Sequence, residues 1–339
     1  MRVATGLLAA VTVLAAGAAL AQPRVREIPT AVTGDYELEL EQGGRMRTAL
    51  VHVPKSATEG MPMPVLLNFH GGGGNARAHR DYVHMDGLAD RAGFIVVYPN
   101  GTGPAAGERL LTWNAGLCCG YAMSEKVDDV GFVRALLETL AKRAPVDSTR
   151  VYATGLSNGA MMSYRLAVQL SDRIAAIAPV AGSMVLPTAG NDRTLPLTML
   201  GKRAVPIMHI HSVDDKRAVY YGGLGEPFPF TNIRTRHPNA EEVLYLWVDF
   251  EGCAAKPVIA EERRGAAGTP TASHTATKYV FTNCRDGGEI ALWKLTGAGH
   301  VWPGARLDYL ERFLGPGTDV IDANVEMWRF FKRFDLPSR

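Results

Sequence analysis

The stretch RVYATGLSNGAMMSYRLA, residues 150–167, limits what this chain can fold into more than any other. A β-type run leads into it and a run with helical spacing leads out. Gly155-Leu156-Ser157-Asn158-Gly159 therefore falls at a strand-to-helix turn. A turn that sharp forces the central serine into strained backbone and leaves no room for side chains beside it. It also holds the Ser157 hydroxyl out at the carboxyl edge of a sheet, where the first helical N–H groups point at whatever the serine attacks. Taken alone, the five residues also suit a tight turn with a spare hydroxyl, so the rest of the chain has to supply partners.

The other apolar runs set the frame. Residues 36–54 alternate and break at Gly43-Gly44, the pattern of a β-hairpin. Runs at 63–74, 94–99, 150–155, 174–182, 205–213 and 289–297 are short and continuously apolar, as strands buried on both faces are. Residues 127–144, 160–172 and 322–334 have helical spacing, and Asp128 or Asp129 can cap the first of these. Strands alternating with helices predict an α/β fold, a mostly parallel sheet with helices on both faces. Segments 188–203, 222–238 and 263–278 read as loops, the last inside the domain with strand patterns close on either side. No repeat or linker divides the chain, so residues 22–339 are expected to form one catalytic domain.

A serine hydroxyl needs a base within hydrogen-bond reach, and the base needs an orienting carboxylate. In hydrolases with this elbow the order along the chain is serine, acid, histidine. Of nine histidines, His237, His274 and His300 remain after that filter. His300 follows the strand at 289–297 in a Gly- and Pro-rich loop, TGAGHVWPG, and is the expected base. His237 and His274 lie in polar segments and read as solvated loop residues. Asp214 and Asp215 follow the strand at 205–213, and local chemistry does not separate them; Asp249 and Asp286 also stay open. His209 and His211 share one face of that strand; without a third clustered ligand they read as hydrogen-bonded histidines, and no metal is expected. NFHGGGGNAR, 68–77, follows an earlier strand, and its glycines let N–H groups of Gly71 and Gly72 approach a substrate oxygen, with the N–H of Asn158 as a further donor. No Gly-Lys-Ser/Thr follows to make it a phosphate loop.

Residues 1–21, MRVATGLLAAVTVLAAGAALA, have a basic start, an apolar run and an Ala-Leu-Ala end, which reads as an export signal cleaved after Ala21. About 318 residues remain, the size of one large α/β domain. With 36 basic and 34 acidic side chains and no basic block, nucleic acid is not an expected partner, and no later run reaches the ~20 apolar residues of a membrane span. Four cysteines in an exported chain point to disulfides. Cys253 with Cys284 is the favoured pair, closing a loop of about 30 residues worth roughly 3–4 kcal/mol. That leaves Cys118 and Cys119 as neighbours, either joined in a vicinal bridge, the favoured reading, or kept as two thiols.

With these residues in place, the chain resembles the exported polyhydroxybutyrate depolymerase and feruloyl esterase-like branch of the α/β-hydrolases. The resemblance runs from about Tyr36 to Phe334, through HGGGGNA (70–76), WNAGLCCG (113–120), VDDVGF (127–132), residues 147–167, Gly252-Cys253 and GHVWPG (299–304). It implies a secreted serine esterase that needs no cofactor, with Ser157 as nucleophile and His300 as base. Its acid precedes a Tyr-x-Gly-Gly element, which Tyr220-Tyr221-Gly222-Gly223 supplies here, and that implies Asp215. The family tends to have Pro-Val-Val after the acid, whereas Lys216-Arg217-Ala218 stand here. Trp113 and Trp302 are expected near the site, where a tryptophan beside the histidine can form an apolar or stacking wall for the acyl group, with a plain core role an equal alternative for Trp113. The implied substrates are 3-hydroxyalkanoate polyesters or oligomers, or alternatively feruloyl-type esters of plant polysaccharide. A serine peptidase and a hydrolase fold kept for binding alone are more distant alternatives.

Overall fold

In the computed structural model, which describes residues 33–57, 61–104, 109–185, 201–227 and 233–337, the apolar runs form the middle of a ten-stranded sheet. The hairpin β1 (Gly34–Gln42) and β2 (Arg45–Val53) comes first. Gly43 and Gly44 turn it at φ 60° and 72°, the positive values that a two-residue hairpin loop requires. Next come β3 (Met63–Phe69), α1 (Ala76–Val83), α2 (Asp86–Ala92) and β4 (Ile95–Pro99). They are followed by α3 (Gly120–Ser124), α4 (Asp129–Leu140), β5 (Val146–Leu156), α5 (Asn158–Gln169) and β6 (Ala176–Val180). After β7 (Ile207–Ser212), a small pair β8 (Tyr221–Leu224) and β9 (Arg236–Asn239) leads into α6 (Ala240–Glu251). The chain ends with β10 (Val258–Arg264), β11 (Thr275–Phe281), β12 (Ile290–Thr296), α7 (Glu311–Leu314) and α8 (Ala323–Phe331).

The strand order is β1-β2-β4-β3-β5-β6-β7-β12-β11-β10. The six central strands, β4 to β12, run parallel, and the antiparallel pairings lie at the two margins. Alternate strand residues feed two cores. Val65, Leu67, Phe69, Ala153 and Ile207 pack with α4, α5 and α6 on one face. Leu66, Val96, Tyr152, Met208 and Ile210 pack with α1, α2 and α8 on the other. Burial on both faces explains why these strands read as unbroken apolar runs. Parallel strands also put the ends of β5, β7 and β12, and so residues 157, 215 and 300, at one edge of the sheet.

Two loop readings change. The segment 263–278 contains the end of β10 and the start of β11, leaving only the turn between them as loop. β10, VIAEERR, is an exposed edge strand and lacks the apolar run of a buried one. The stretch 222–238 includes β8 and β9, whose Gly222 and Gly223 hide the strand pattern; its residues 228–232 lie outside the described residues. The export-signal reading of residues 1–21 and the loop reading of 188–200 also lie outside them. Among the described residues, no helix is long and apolar enough to cross a membrane.

A buried ion pair fixes the N-terminal hairpin to the middle of the fold. Arg47 on β2 bonds Asp129 at 2.7 Å, and its guanidinium lies 3.9 Å from the ring centre of Phe132. The second oxygen of Asp129 accepts the Asn114 N–H at 2.8 Å, while neighbouring Asp128 caps α4 by accepting from Gly131. Neither member of the pair is more than 2% exposed. Arg47→Met strands a buried carboxylate and is expected to cost about 3–5 kcal/mol, with a matching fall in the urea midpoint. The double variant Arg47→Met/Asp129→Leu is expected to lose less.

Candidate active site

Ser157 sits between β5 and α5 with φ 58° and ψ −117°, a conformation that costs a non-glycine residue of order 1–3 kcal/mol. Its surroundings hold it there. The Ser157 N–H donates to Val180 O of β6 at 2.9 Å, and its carbonyl accepts from Met161 N–H at 3.0 Å. A Cβ at Gly155 would lie 2.6 Å from the Phe69 carbonyl oxygen, and one at Gly159 would strike the same oxygen. The two glycines are therefore demanded by the approach of β3, whose end touches the turn from below.

The glycine loop after β3 lies against the serine. A Cβ at Gly71 would lie 3.6 Å from Ser157 Cβ. Gly73 and Gly74 N–H groups are engaged by Leu111 O and Gly71 O at 2.7 and 3.0 Å. The N–H of Asn158, first in α5, has no intrahelical partner by geometry. His70, read in the sequence only as part of the loop, is its lock. The His70 Nδ1–H donates to Gly71 O at 2.8 Å and Nε2 accepts the Gly101 N–H at 3.0 Å. Burial pushes the His70 pKa down to about 4, so the ring is neutral and keeps this single tautomer.

Trp113 and Trp302 are both buried, and each indole N–H donates to a protein acceptor. Trp113 is fully buried. Its indole N–H donates to His70 O at 3.0 Å, its backbone N–H donates to Asn158 Oδ1 at 2.7 Å, and Asn158 Nδ2 donates back to Trp113 O at 3.0 Å. It ties the glycine loop to the elbow from behind. Trp302 is 1% exposed and donates its indole N–H to Asn324 Oδ1 at 2.9 Å, inside the α1/α8 core. The sequence marks both as near the site but cannot tell a wall from a brace.

At the ends of β7 and β12 the structure separates the two aspartates. Asp215 Oδ2 lies 2.7 Å from His300 Nδ1, while Asp214 turns away to accept the Gly297 N–H at 2.6 Å. Asp215 Oδ1 accepts the N–H groups of Arg217 and Ala218 at 2.8 and 2.9 Å, and Oδ2 also meets His211 Nε2 at 3.2 Å. Burial alone would raise the Asp215 pKa; the neighbouring His300 and the hydrogen bonds from His211 and His300 outweigh burial and hold the carboxyl well below its ordinary range. His300 is 5% exposed, and its loop is anchored by its own N–H to Leu314 O at 2.6 Å. Among the described residues, Ser157 Oγ makes no direct hydrogen bond to His300; such contacts commonly tighten only with substrate in place.

His237 and His274, expected as solvated loop residues, are 8% and 6% exposed. His237 lies on β9, and burial, with a smaller contribution from the neighbouring His300, pushes its pKa down to about 4. Among the described residues, Asp215 rather than Asp249 or Asp286 is the carboxylate hydrogen-bonded to His300. Cys118 and Cys119 are joined to each other, as are Cys253 and Cys284. Cys118 packs with Ala115, Met161 and Val185 against the first turn of α5.

Neutral burial of His70 has a measurable consequence. Its folded pKa is about 4 and its unfolded value about 6.5, so the unfolded chain binds the extra proton first. Its contribution is fully present above pH 6.5 and is lost as pH falls toward 4. From His70 alone the loss is about 3 kcal/mol. Urea titrations at pH 7, 5.5 and 4 are expected to show that decline, and His70→Gln to show a shallower slope over the same window.

Residues 46–226, just over half of the chain, match the family described as "Esterase PHB depolymerase". Feruloyl esterase B of Piromyces equi is 27% identical over 296 residues, which cover 86% of this chain and 46% of that protein, so the chain spans about half of its length. A bifunctional acetylxylan esterase/xylanase of Neocallimastix patriciarum is 28% identical, over 63% of this chain and 29% of that one. Among solved structures, the acetyl xylan esterase of Aspergillus awamori superposes with a TM-score of 0.50 at 17% identity, covering 87% of this chain and 99% of its own. That likeness bears on the fold, which is that of the α/β-hydrolase esterases. The chain belongs to the PHB depolymerase esterase family.

Proposed function

We propose that this chain hydrolyses carboxylic esters through an acyl-enzyme, with Ser157 as nucleophile, His300 as general base and Asp215 as the carboxylate that orients it. The observation that carries the reading is the 2.7 Å contact between Asp215 and His300 Nδ1 at the sheet edge where the strained Ser157 elbow also stands. A proton on Nδ1, facing an ionised Asp215, leaves Nε2 with its lone pair free to take the serine proton. The hydroxyl oxygen then attacks the ester carbonyl. The N–H groups of Asn158, Gly71 and Gly72 receive the negative charge that develops on the carbonyl oxygen. Collapse expels the alcohol, protonated by His300, and the same histidine then activates water to release the acid.

For the acyl group, the family description supports 3-hydroxyalkanoate oligomers. A second reading, hydroxycinnamoyl esters of plant polysaccharide, is favoured by the feruloyl esterase named among the relatives, which covers most of this chain. Export through residues 1–21 fits a chain that holds two disulfides.

Purified residues 22–339 and Ser157→Ala test both levels. The parent is expected to take a fluorophosphonate label at Ser157 and to cleave a 3-hydroxybutyrate trimer or methyl ferulate, and the variant to lose roughly 10³-fold or more in kcat. Faster cleavage of one ester assigns the substrate class. A parent protein that does not label removes the esterase mechanism.

A further inference from the structure

Behind Asp215 lies a row of buried polar groups that the proposed mechanism does not use. His211 Nε2 lies 3.2 Å from Asp215 Oδ2 and 2.7 Å from Ala218 O. His211 Nδ1 lies 3.2 Å from His209 Nε2, and His209 Nδ1 lies 3.0 Å from the Tyr164 hydroxyl. Tyr164 and His209 are fully buried and His211 is 3% exposed. Strand geometry explains the spacing, since residues 209 and 211 are two apart on β7 and face the same side, toward α5 and Tyr164.

The proton positions in this row follow from its end at Asp215. Two acceptors, a carboxylate oxygen and a carbonyl, meet His211 Nε2, so the proton must sit there. With its proton on Nε2, the His211 ring offers the lone pair of Nδ1 to His209, which calls for the proton of His209 on Nε2. His209 in turn presents Nδ1 to the Tyr164 O–H. Burial and the neighbouring His211 hold the His209 pKa well below its ordinary value, in keeping with one proton per ring. Each group donates once toward Asp215, and the order Tyr164, His209, His211, Asp215, His300 is closed and directional.

We propose that His211 is a positioning residue for the reaction: its Nε2–H, kept on that nitrogen by His209 and Tyr164, fixes the Asp215 oxygen that orients His300. This rests on the assignment of Asp215 and His300 made above. His211 and His300 donate to the same oxygen, so His211 also moderates the pull of the carboxylate on the catalytic ring. No proton leaves the row during turnover. The titratable groups that face Asp215 are His211 from β7, His300 from the loop after β12 and His237 from β9. The Arg217 guanidinium is turned to the carbonyls of Phe313 and Pro227.

The test compares His211→Phe, which keeps a ring and removes the donor, with His211→Gln, whose amide N–H can reach the same oxygen. On p-nitrophenyl acetate, His211→Phe is expected to lose roughly 10- to 100-fold in kcat with KM unchanged, the scale of one hydrogen bond to a charged group. With that donor gone the carboxylate attracts the His300 imidazolium more strongly, so the acid limb of kcat/KM moves to higher pH. His211→Gln is expected to recover most of kcat and the parental limb. Equal losses in both variants, or an unmoved acid limb in His211→Phe, would reduce His211 to a space-filler and overturn the proposal. ¹⁵N NMR of the unmutated protein reads the row even if His211→Phe does not fold. His209 and His211 should both be Nε2–H tautomers, and an Nδ1–H tautomer at His211 overturns it. Ser157→Ala and His300→Ala serve as controls: activity surviving in them defeats the esterase mechanism, while the tautomers still judge the row.

Discussion

The close approach of the Phe69 carbonyl to the turn after β5 is the contact on which the rest of the site depends. It excludes a Cβ at both Gly155 and Gly159. With β3 and β5 that close, the glycine loop leaving β3 has to pass over Ser157, and Gly71 lies against the serine as a result. The strained φ of Ser157 is the other side of the same constraint, since the chain can only turn from strand to helix there by lifting that residue out. Trp113 then joins the two segments through His70 O and Asn158, so the serine and its flanking N–H groups are held by one rigid unit rather than by a mobile loop.

That unit explains which parts of the protein could be read beforehand. The elbow, the glycine loop, the hairpin and the central strands each follow from a local rule, such as a glycine where a Cβ collides or an apolar run where both faces are covered. Residues whose role depends on what faces them could not be read this way. Asp214 and Asp215 are neighbours at a strand end, and only the position of the β12 loop sends one to His300 and the other to Gly297. Trp113 and Trp302 could equally be wall or brace until their N–H groups were seen donating inward. The end of β10 reads as loop in the sequence because an edge strand covered on neither face carries no apolar signature to mark where it stops.

The buried histidines divide the electrostatic work around the sheet. His70, His79 and His209 all have pKa values lowered by burial, so they serve as neutral hydrogen-bonding rings with fixed tautomers. His79, for example, pairs its Nε2 with Asn68 Oδ1 at 2.7 Å on β3, behind the glycine loop. Neutral rings brace the site without adding positive charges that would compete with His300 for Asp215.

Asp215 itself is an anion 2% exposed, and a buried carboxylate is tolerable only when its lone pairs are filled. Two of its partners are the backbone N–H groups of Arg217 and Ala218, not side chains. This accounts for the departure from the family pattern just after the acid. Pro-Val-Val and Lys216-Arg217-Ala218 place an N–H at the second and third positions alike, so the nest around the carboxylate survives while the side chains change. The side chain of Arg217 takes on a separate task, bridging to the carbonyls of Phe313 and Pro227 and so tying together the segments that flank the His300 loop. The acid is therefore specified by backbone geometry and by the histidines on either side of it, while the residues following it are free to adapt the rim.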